Sequence, residues 1–297
     1  MSALCLLFLG LLPQQRPPSK PPAPPPPDGN KLVQVSLLAD RSQLVPGESF
    51  LLATRLKVTP RWHIYWGENP GDSGLPTSVE VTTPEGFGQS PPRFPVPTRH
   101  VEPGDIVTFQ HEGDVYVLTQ CTVPKDAKPG ESFEFGVESD WLVCIEQCYP
   151  GRGAARLTLP VAAPVGAQGS AQAGEFEKQR LTHLEEFRTA RAQQPLAMSQ
   201  RVGLAVTLVP DPKRGHHILE LVAPQAKFTD FFPRSEEDVV FEGLAVDPMD
   251  ASKARLRWRF KQPPTEDTSL SFYGILSLEG EKGPEHYALH SRFEGGE

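Results

Sequence analysis

From Lys31 the chain alternates apolar and polar positions with a period of two. Val33, Val35 and Leu37 share one face of a segment; Phe50, Leu52, Leu56 and Val58 share a second; Phe133, Phe135 and Val137 share a third. In "DVYVLTQCTV" (114–123), Val115, Val117, Cys121 and Val123 fall on one side. Successive side chains of an extended chain point to opposite faces, so each run reads as a half-buried β-strand. Pro46-Gly47, Pro70-Gly71, Pro103-Gly104 and Pro129-Gly130 punctuate these runs as turns. Many short strands with such punctuation predict an immunoglobulin-like β-sandwich over residues 31–162.

The pattern then changes. "AAPVGAQGSAQAG" (162–174) is a small-residue linker, and "EFEKQRLTHLEEFRTARAQ" (175–193) places Leu181, Leu184 and Phe187 at helical spacing before Pro195. Residues 163–197 therefore read as linker and one helix that packs two domains together. Strand patterns return in "VGLAVTLV", "HILELVA", "ARLRWRF" and "LSFYGILSL". Residues 198–297 are expected to form a second, smaller β-sandwich without cysteine. The fold class is mainly β.

The 297-residue length suits two domains with separate cores. Abundant proline (33) and glycine (25) fit a turn-rich β protein. The net charge of -8 argues against nucleic acid or an anionic membrane as the main partner. At the amino terminus an apolar run, Ala3 to Leu12, has the length of a signal-peptide core and is too short to span a bilayer. Residues 1–12 are thus expected to direct export, with 13–30 as a proline-rich spacer outside any core. Export puts the remaining cysteines where disulfides form.

Two of the four cysteines stand in "DWLVCIEQCYPG" (140–151). They fit a structural staple, half of a metal site, or a working dithiol. If "WLVC" is a strand, "IEQ" a turn and "CYP" a returning strand, Cys144 and Cys148 face each other at about 4.5–5.5 Å between Cα atoms, within disulfide reach. A bridge over so short a loop removes little entropy from the unfolded chain, so the spacing favours a bond made to be broken and remade. A fixed hairpin disulfide is the competing reading. Zinc is disfavoured because there is no second cysteine pair. Two thiolates suit Cu(I), but His100, His216 and His217 are too distant in sequence to assign as ligands. No metal and no cofactor is assigned. Cys121 reads as a buried strand thiol.

Glu138, Asp140 and Glu146 flank the pair, with no Lys or Arg between Val137 and Gly151. Nearby carboxylates disfavour a thiolate, which makes the dithiol selective for partners that dock. A second cluster, "WHIYWGENPGDSGLPT" (62–77), offers Trp62, Tyr65 and Trp66 as a binding face and Asp72 with Ser73 as catalytic groups. Core and rim aromatics around a demanding Asn-Pro-Gly-Asp-Ser-Gly loop explain it more simply. A serine hydrolase is disfavoured, since no nucleophile-elbow motif is present.

"WHIYWGENPGDSGLPT", "FQHEGDVYVLTQCTVP" and "DWLVCIEQCYPG", in this order, resemble the amino-terminal periplasmic domain of the DsbD thiol–disulfide interchange proteins. The branch it most resembles includes the suppressor-of-copper-sensitivity proteins. The following helix and β-domain, with "FTDFFPR" (228–234), are similar to the region after this domain in that branch. The resemblance implies that Cys144 and Cys148 cycle between dithiol and disulfide, with Cys148 attacking the partner and Cys144 resolving. It implies an aromatic cap over the pair, for which Phe109 is the positional candidate. Partners are then periplasmic thioredoxin-like or disulfide-isomerase-like proteins, with electrons supplied by a separate membrane protein. The non-catalytic alternative is a copper- or partner-binding module.

Overall fold

The computed structural model describes residues 26–162, 176–210, 216–236, 239–262 and 269–294. The expected signal segment and nearly all of the 162–174 linker lie outside them. Ten strands build the first domain: β1 (Val33–Ala39), β2 (Ser49–Val58), β3 (His63–Tyr65), β4 (Ser78–Thr82), β5 (Gly88–Gln89), β6 (Thr98–Glu102), β7 (Ile106–His111), β8 (Asp114–Thr122), β9 (Ser132–Cys144) and β10 (Cys148–Pro160). One sheet has the order β1-β2-β8-β5; the other runs β10-β9-β3-β7-β6, with β4 also paired to β9. The alternation read from the sequence is what the sheets bury. Leu52, Leu56, Val117 and Cys121 from one sheet meet Ile64, Phe135 and Val143 from the other. Full burial of such a side chain stabilises by about 1.5–3 kcal/mol. Burial also pushes the Cys121 thiol up to about 11, which keeps it protonated and inert.

The first domain starts inside the expected spacer. Asp28 accepts a hydrogen bond from the Asn30 amide and caps a helical turn at Gly29–Leu32. Gly29 is buried against Pro150, where a Cβ would collide with the carbonyl.

Among the described residues, eight strands build the second domain: β11 (Leu196–Ala197), β12 (Ala205–Pro210), β13 (His216–Val222), β14 (Lys227–Pro233), β15 (Val239–Val246), β16 (Lys253–Phe260), β17 (Ser269–Gly280) and β18 (Gly283–Glu294). They form sheets in the orders β11-β18-β17-β14 and β12-β13-β16-β15. Leu219, Leu221, Leu256, Trp258, Leu276 and Leu278 lie in the core between them. Phe232 and Ile275 instead join the hydrophobic core of the first domain, so the two sandwiches share a packed seam.

The single helix expected over 175–193 is broken. Residues 176–180 are helical, and a separate helix spans Leu184–Ala192. Between them the backbone pairs with the segment after β1: Ser42 N–H donates to the Arg180 carbonyl and Thr182 N–H to the Asp40 carbonyl. Those bonds replace the helical ladder, and His183 turns the chain at a φ of 50°. The apolar stripe changes accordingly. Leu184 is 60% exposed while Phe187 is 1% exposed, and Phe187 and Ala190 pack on Ala53, Tyr116 and Leu118. The helix thus covers the outer face of the first sheet and does not clamp the two domains. Among the described residues no helix is long and apolar enough to cross a membrane.

Candidate redox site

β9 and β10 form one long antiparallel hairpin that ends with Cys144 opposite Cys148 across the turn 145–147. The two cysteines are disulfide-bonded, with Cα atoms 4.2 Å apart. The register is fixed by what packs beside it. The Trp141 indole donates to the Gly29 carbonyl at 3.2 Å, and Gly151 stands opposite Trp141, where a Cβ would strike the ring nitrogen. Trp62 meets the Tyr149 ring edge-on at 5.8 Å. A slip of one residue would turn every one of these side chains to the other face.

The two sulfurs have different surroundings. Cys144 is 2% exposed, covered between neighbouring strands, whereas Cys148 is exposed at the hairpin end. His63 stands opposite Cys144 in the β3–β9 pair, and its ring lies edge-on to Tyr65 at 5.5 Å. The Tyr65 hydroxyl lies 3.7 Å from Cys148 Sγ. Burial raises the Tyr65 phenol, with the Glu102 charge adding to it, so at neutral pH the group is a neutral hydroxyl that can donate. Burial lowers His63, partly offset by Glu112, so the imidazole opposite Cys144 is not a cation at neutral pH. Thiol–disulfide exchange attacks one accessible sulfur, and here only Cys148 is open to a partner.

The structure separates the residues expected to tune the pair. Glu146 sits in the hairpin turn and is exposed. Asp140 and Glu138 share the Cys144 face of β9, but at about 3.3 Å per residue they lie roughly 13 and 20 Å along the strand. Beyond about 10 Å, exposed charges are largely screened. Asp140 is also matched by Arg152, 3.6 Å away on β10. Of the three carboxylates, Glu146 is the one that shares the hairpin turn with Cys148.

Phe109 does not stand over the disulfide. It is buried on the opposite face of β7, edge-on to Trp66 at 6.1 Å and to Phe232 of the second domain at 5.3 Å. The aromatic at the sulfurs is Tyr65, which the sequence pattern places only in core and rim. Its signal is a tyrosine in a buried strand, whose hydroxyl needs a polar neighbour. Asp72 is structural: its carboxylate accepts the Val107 amide at 2.8 Å, and its own amide donates to the Val107 carbonyl at 2.7 Å. His216 lies 3.0 Å from Glu242 and His217 stacks on Trp258, both in the second domain. Among the described residues no group of three or more His, Cys, Asp or Glu side chains could hold a metal ion.

A β-sandwich that presents a disulfide at a hairpin end, with one sulfur buried and one open, defines an immunoglobulin-like thiol–disulfide exchange module. Residues 34–160, nearly all of the first domain, match the family described as thiol:disulfide interchange protein DsbD, N-terminal. Among solved structures, the N-terminal periplasmic domain of ScsB from Proteus mirabilis matches with a TM-score of 0.55 at 13% identity, covering 88% of this chain and 92% of that one. That match shows a shared fold across both sandwiches. The DsbD n-terminal domain of Neisseria meningitidis in the reduced form matches at 14% identity over 45% of this chain and 88% of that one, with a TM-score of 0.24. No curated protein matches the chain.

Proposed function

We propose that the protein passes electrons between redox partner proteins in the periplasm through the Cys144–Cys148 couple. The observation that carries this reading is the asymmetry of the pair: Cys148 is exposed beside the Tyr65 hydroxyl, and Cys144 is buried behind it. In the reduced protein the Cys148 thiolate attacks a partner disulfide, forming a mixed disulfide and releasing one partner thiolate. Cys144 then attacks Cys148 Sγ, the internal disulfide forms, and the second partner sulfur leaves. The partner gains two electrons and two protons, and this protein loses them. A thiol donor reverses the sequence and regenerates the dithiol.

Docking has a surface to use. Ile145 in the turn and Leu75 are both exposed, and Leu75 shares a shallow groove with Leu142 and Pro150 beside the hairpin. Apolar rims of this kind favour a protein partner over a small charged substrate. The partner class we infer is thioredoxin-like or disulfide-isomerase-like, with a separate membrane protein as electron donor. The family match and the periplasmic source of the ScsB structure support this setting.

Trapping tests the roles. Cys144→Ser should accumulate a mixed disulfide between Cys148 and an oxidised thioredoxin-fold protein, because no resolving thiol remains. Cys148→Ser should trap far less, its remaining sulfur being buried. Equal trapping by both variants would remove the assignment.

A further inference from the structure

Strand β3 is short, yet it pairs with β9 on one side and β7 on the other. Its middle residue, Ile64, is fully buried in the core between the sheets. Alternation then puts His63 and Tyr65 together on the opposite face. The pairing sets His63 directly across from Cys144, and directly opposed residues share a face with Cβ atoms about 4.5–5.5 Å apart. The Tyr65 hydroxyl lies near Cys148 Sγ, so β3 aligns one polar side chain with each sulfur of the bridge.

The two sulfurs make different demands. Cys148 is exposed and can lose its proton to water, whereas Cys144 is buried. Only a thiolate attacks a disulfide, and burial in this sandwich disfavours it, as the Cys121 thiol shows at about 11. No Lys or Arg stands between Val137 and Gly151 to help Cys144 ionise. The neighbour across the strand pair is an imidazole. Burial lowers His63, opposed by the charges of Glu112, just after β7, and Glu102 on β6, while His100 on β6 acts in the same sense as burial. The Tyr65 phenol beside it is neutral. His63 is therefore a neutral base at pH 7, and an imidazole with its proton on Nδ1 presents Nε2 as an acceptor. That Nε2 is buried and has no hydrogen-bond partner among the described residues. An unpaired buried nitrogen costs stability, and one on a residue opposite a redox pair is explained if the reduced form gives it a thiol to bond.

We infer that His63 is the proton acceptor of the resolving step: its Nε2 takes the Cys144 proton as that sulfur attacks Cys148, and returns it when a donor reopens the bridge. This rests on the exchange reading of the pair and names the group that serves its buried sulfur. From the mixed disulfide, the Cys144 S–H bond breaks and the Cys144–Cys148 S–S bond forms. The bond from Cys148 to the partner breaks, its electron pair leaves on the partner sulfur, and the half-buried imidazolium hands the proton to solvent. In reverse, a donor thiolate attacks Cys148, the pair leaves on Cys144, and the imidazolium protonates it.

The test uses the full chain carrying Cys5→Ser, which leaves Cys144, Cys148 and the buried Cys121 as its thiols. The reduced protein is mixed with dithiobis(nitrobenzoate), and release of the coloured thiolate is followed by stopped flow. A first phase, dependent on reagent concentration, reports attack by Cys148; a second, independent of it, reports resolution by Cys144. His63→Gln should slow the second phase about a hundredfold at neutral pH, far more than the first. The pH profile is the readout that a merely structural role does not move. In the parent the second phase should be flat between about pH 7 and 8 and fall as the imidazole protonates at lower pH. In His63→Gln it should rise about tenfold per pH unit across the same range, as an unaided thiol below its own pKa does. His286→Gln, which removes a second-domain imidazole bonded to Ser277, should change neither phase. The parent profile needs no substitution, so a poorly folded His63→Gln does not protect the assignment: a parent second phase that itself rises tenfold per pH unit overturns it. A His63→Gln profile of the same shape as the parent's also overturns it, and in both cases the exchange reading stands because both phases occur. A bridge that no thiol opens in the folded parent sinks the exchange reading and the role of His63 together.

Discussion

The Tyr65 hydroxyl lies 3.7 Å from Cys148 Sγ, across a strand pair whose other partner, Cys144, is buried. In the dithiol form that hydroxyl is placed to donate to a Cys148 thiolate. One such bond contributes about 1 kcal/mol net, or about a fivefold change in thiolate population. Tyr65→Phe should therefore slow alkylation of reduced Cys148 at pH 7 about fivefold while leaving the ring packing intact. Stopped-flow alkylation of a Cys144→Ser background, with and without the change, measures it. An equal or faster rate would show that the hydroxyl does not act on the sulfur.

Charge near the sulfur gives an opposite and graded effect. Glu146→Gln removes a carboxylate from the turn itself and should speed alkylation. Asp140→Asn and Glu138→Gln, roughly 13 and 20 Å along an extended strand, should change the rate much less. The same assay ranks them, and an Asp140 effect as large as that of Glu146 contradicts the geometry.

These carboxylates mark the limit of what is legible in the sequence. The strands are readable because period two survives in the buried runs, and a three-residue turn by itself puts Cys144 opposite Cys148. Proximity along the chain, however, is not proximity in a strand, where each residue adds over 3 Å; this is why Glu138 and Asp140 are not neighbours of the sulfurs. Phe109 shows the converse. Its place one strand before "EGDVYVL" says nothing about which face of β7 it occupies, and it faces Phe232. The helix breaks at residues 180–182 because backbone pairing with residues 40–42 supplies bonds that no local pattern reveals. Strand β14, whose "FTDFFPR" stands out only by resemblance, holds the seam through Asp230 and Phe232, a tertiary contact invisible in its own periodicity.

Gly74, in the loop 67–77 between β3 and β4, offers a steric test of how that loop packs on the Tyr65 ring. Its φ of +95° disfavours a side chain, and its Cβ would enter the Tyr65 ring. Gly74→Ala should destabilise the first domain by about 1–3 kcal/mol. Gly113→Ala, at a φ of +66° with nothing within 4 Å of the added Cβ, isolates the backbone share and should cost less. Denaturant melts of the two variants give the difference. Equal losses would mean that the loop does not rest on the ring.

A pH dependence follows from His111. Burial pushes its imidazole down to about 3, and its Nε2 has no hydrogen-bond partner among the described residues. The unfolded chain takes up this proton near pH 6.5 and the folded protein only near 3, so the unfolded state binds more protons between these values. Stability from this group is complete above about pH 6.5 and falls as pH drops toward 3. Between about pH 6.5 and 5 the loss is at most about 2 kcal/mol. His63 and His286, both lowered chiefly by burial, act with the same sign. Urea unfolding at pH 7 and pH 5 should show the loss, and His111→Gln should reduce it. A stability unchanged over this interval in the parent protein contradicts the buried neutral imidazole.

A functional role for the hairpin requires that the Cys144–Cys148 bond be opened and remade while the protein stays folded. Redox titration of the folded protein against glutathione, read by thiol labelling, decides this. A working couple gives a reversible two-electron transition at a potential above about -300 mV, the region below which structural disulfides lie. A bridge that stays oxidised across the whole range, and yields only after denaturant is added, would identify a fixed hairpin staple and contradict electron transfer through this pair.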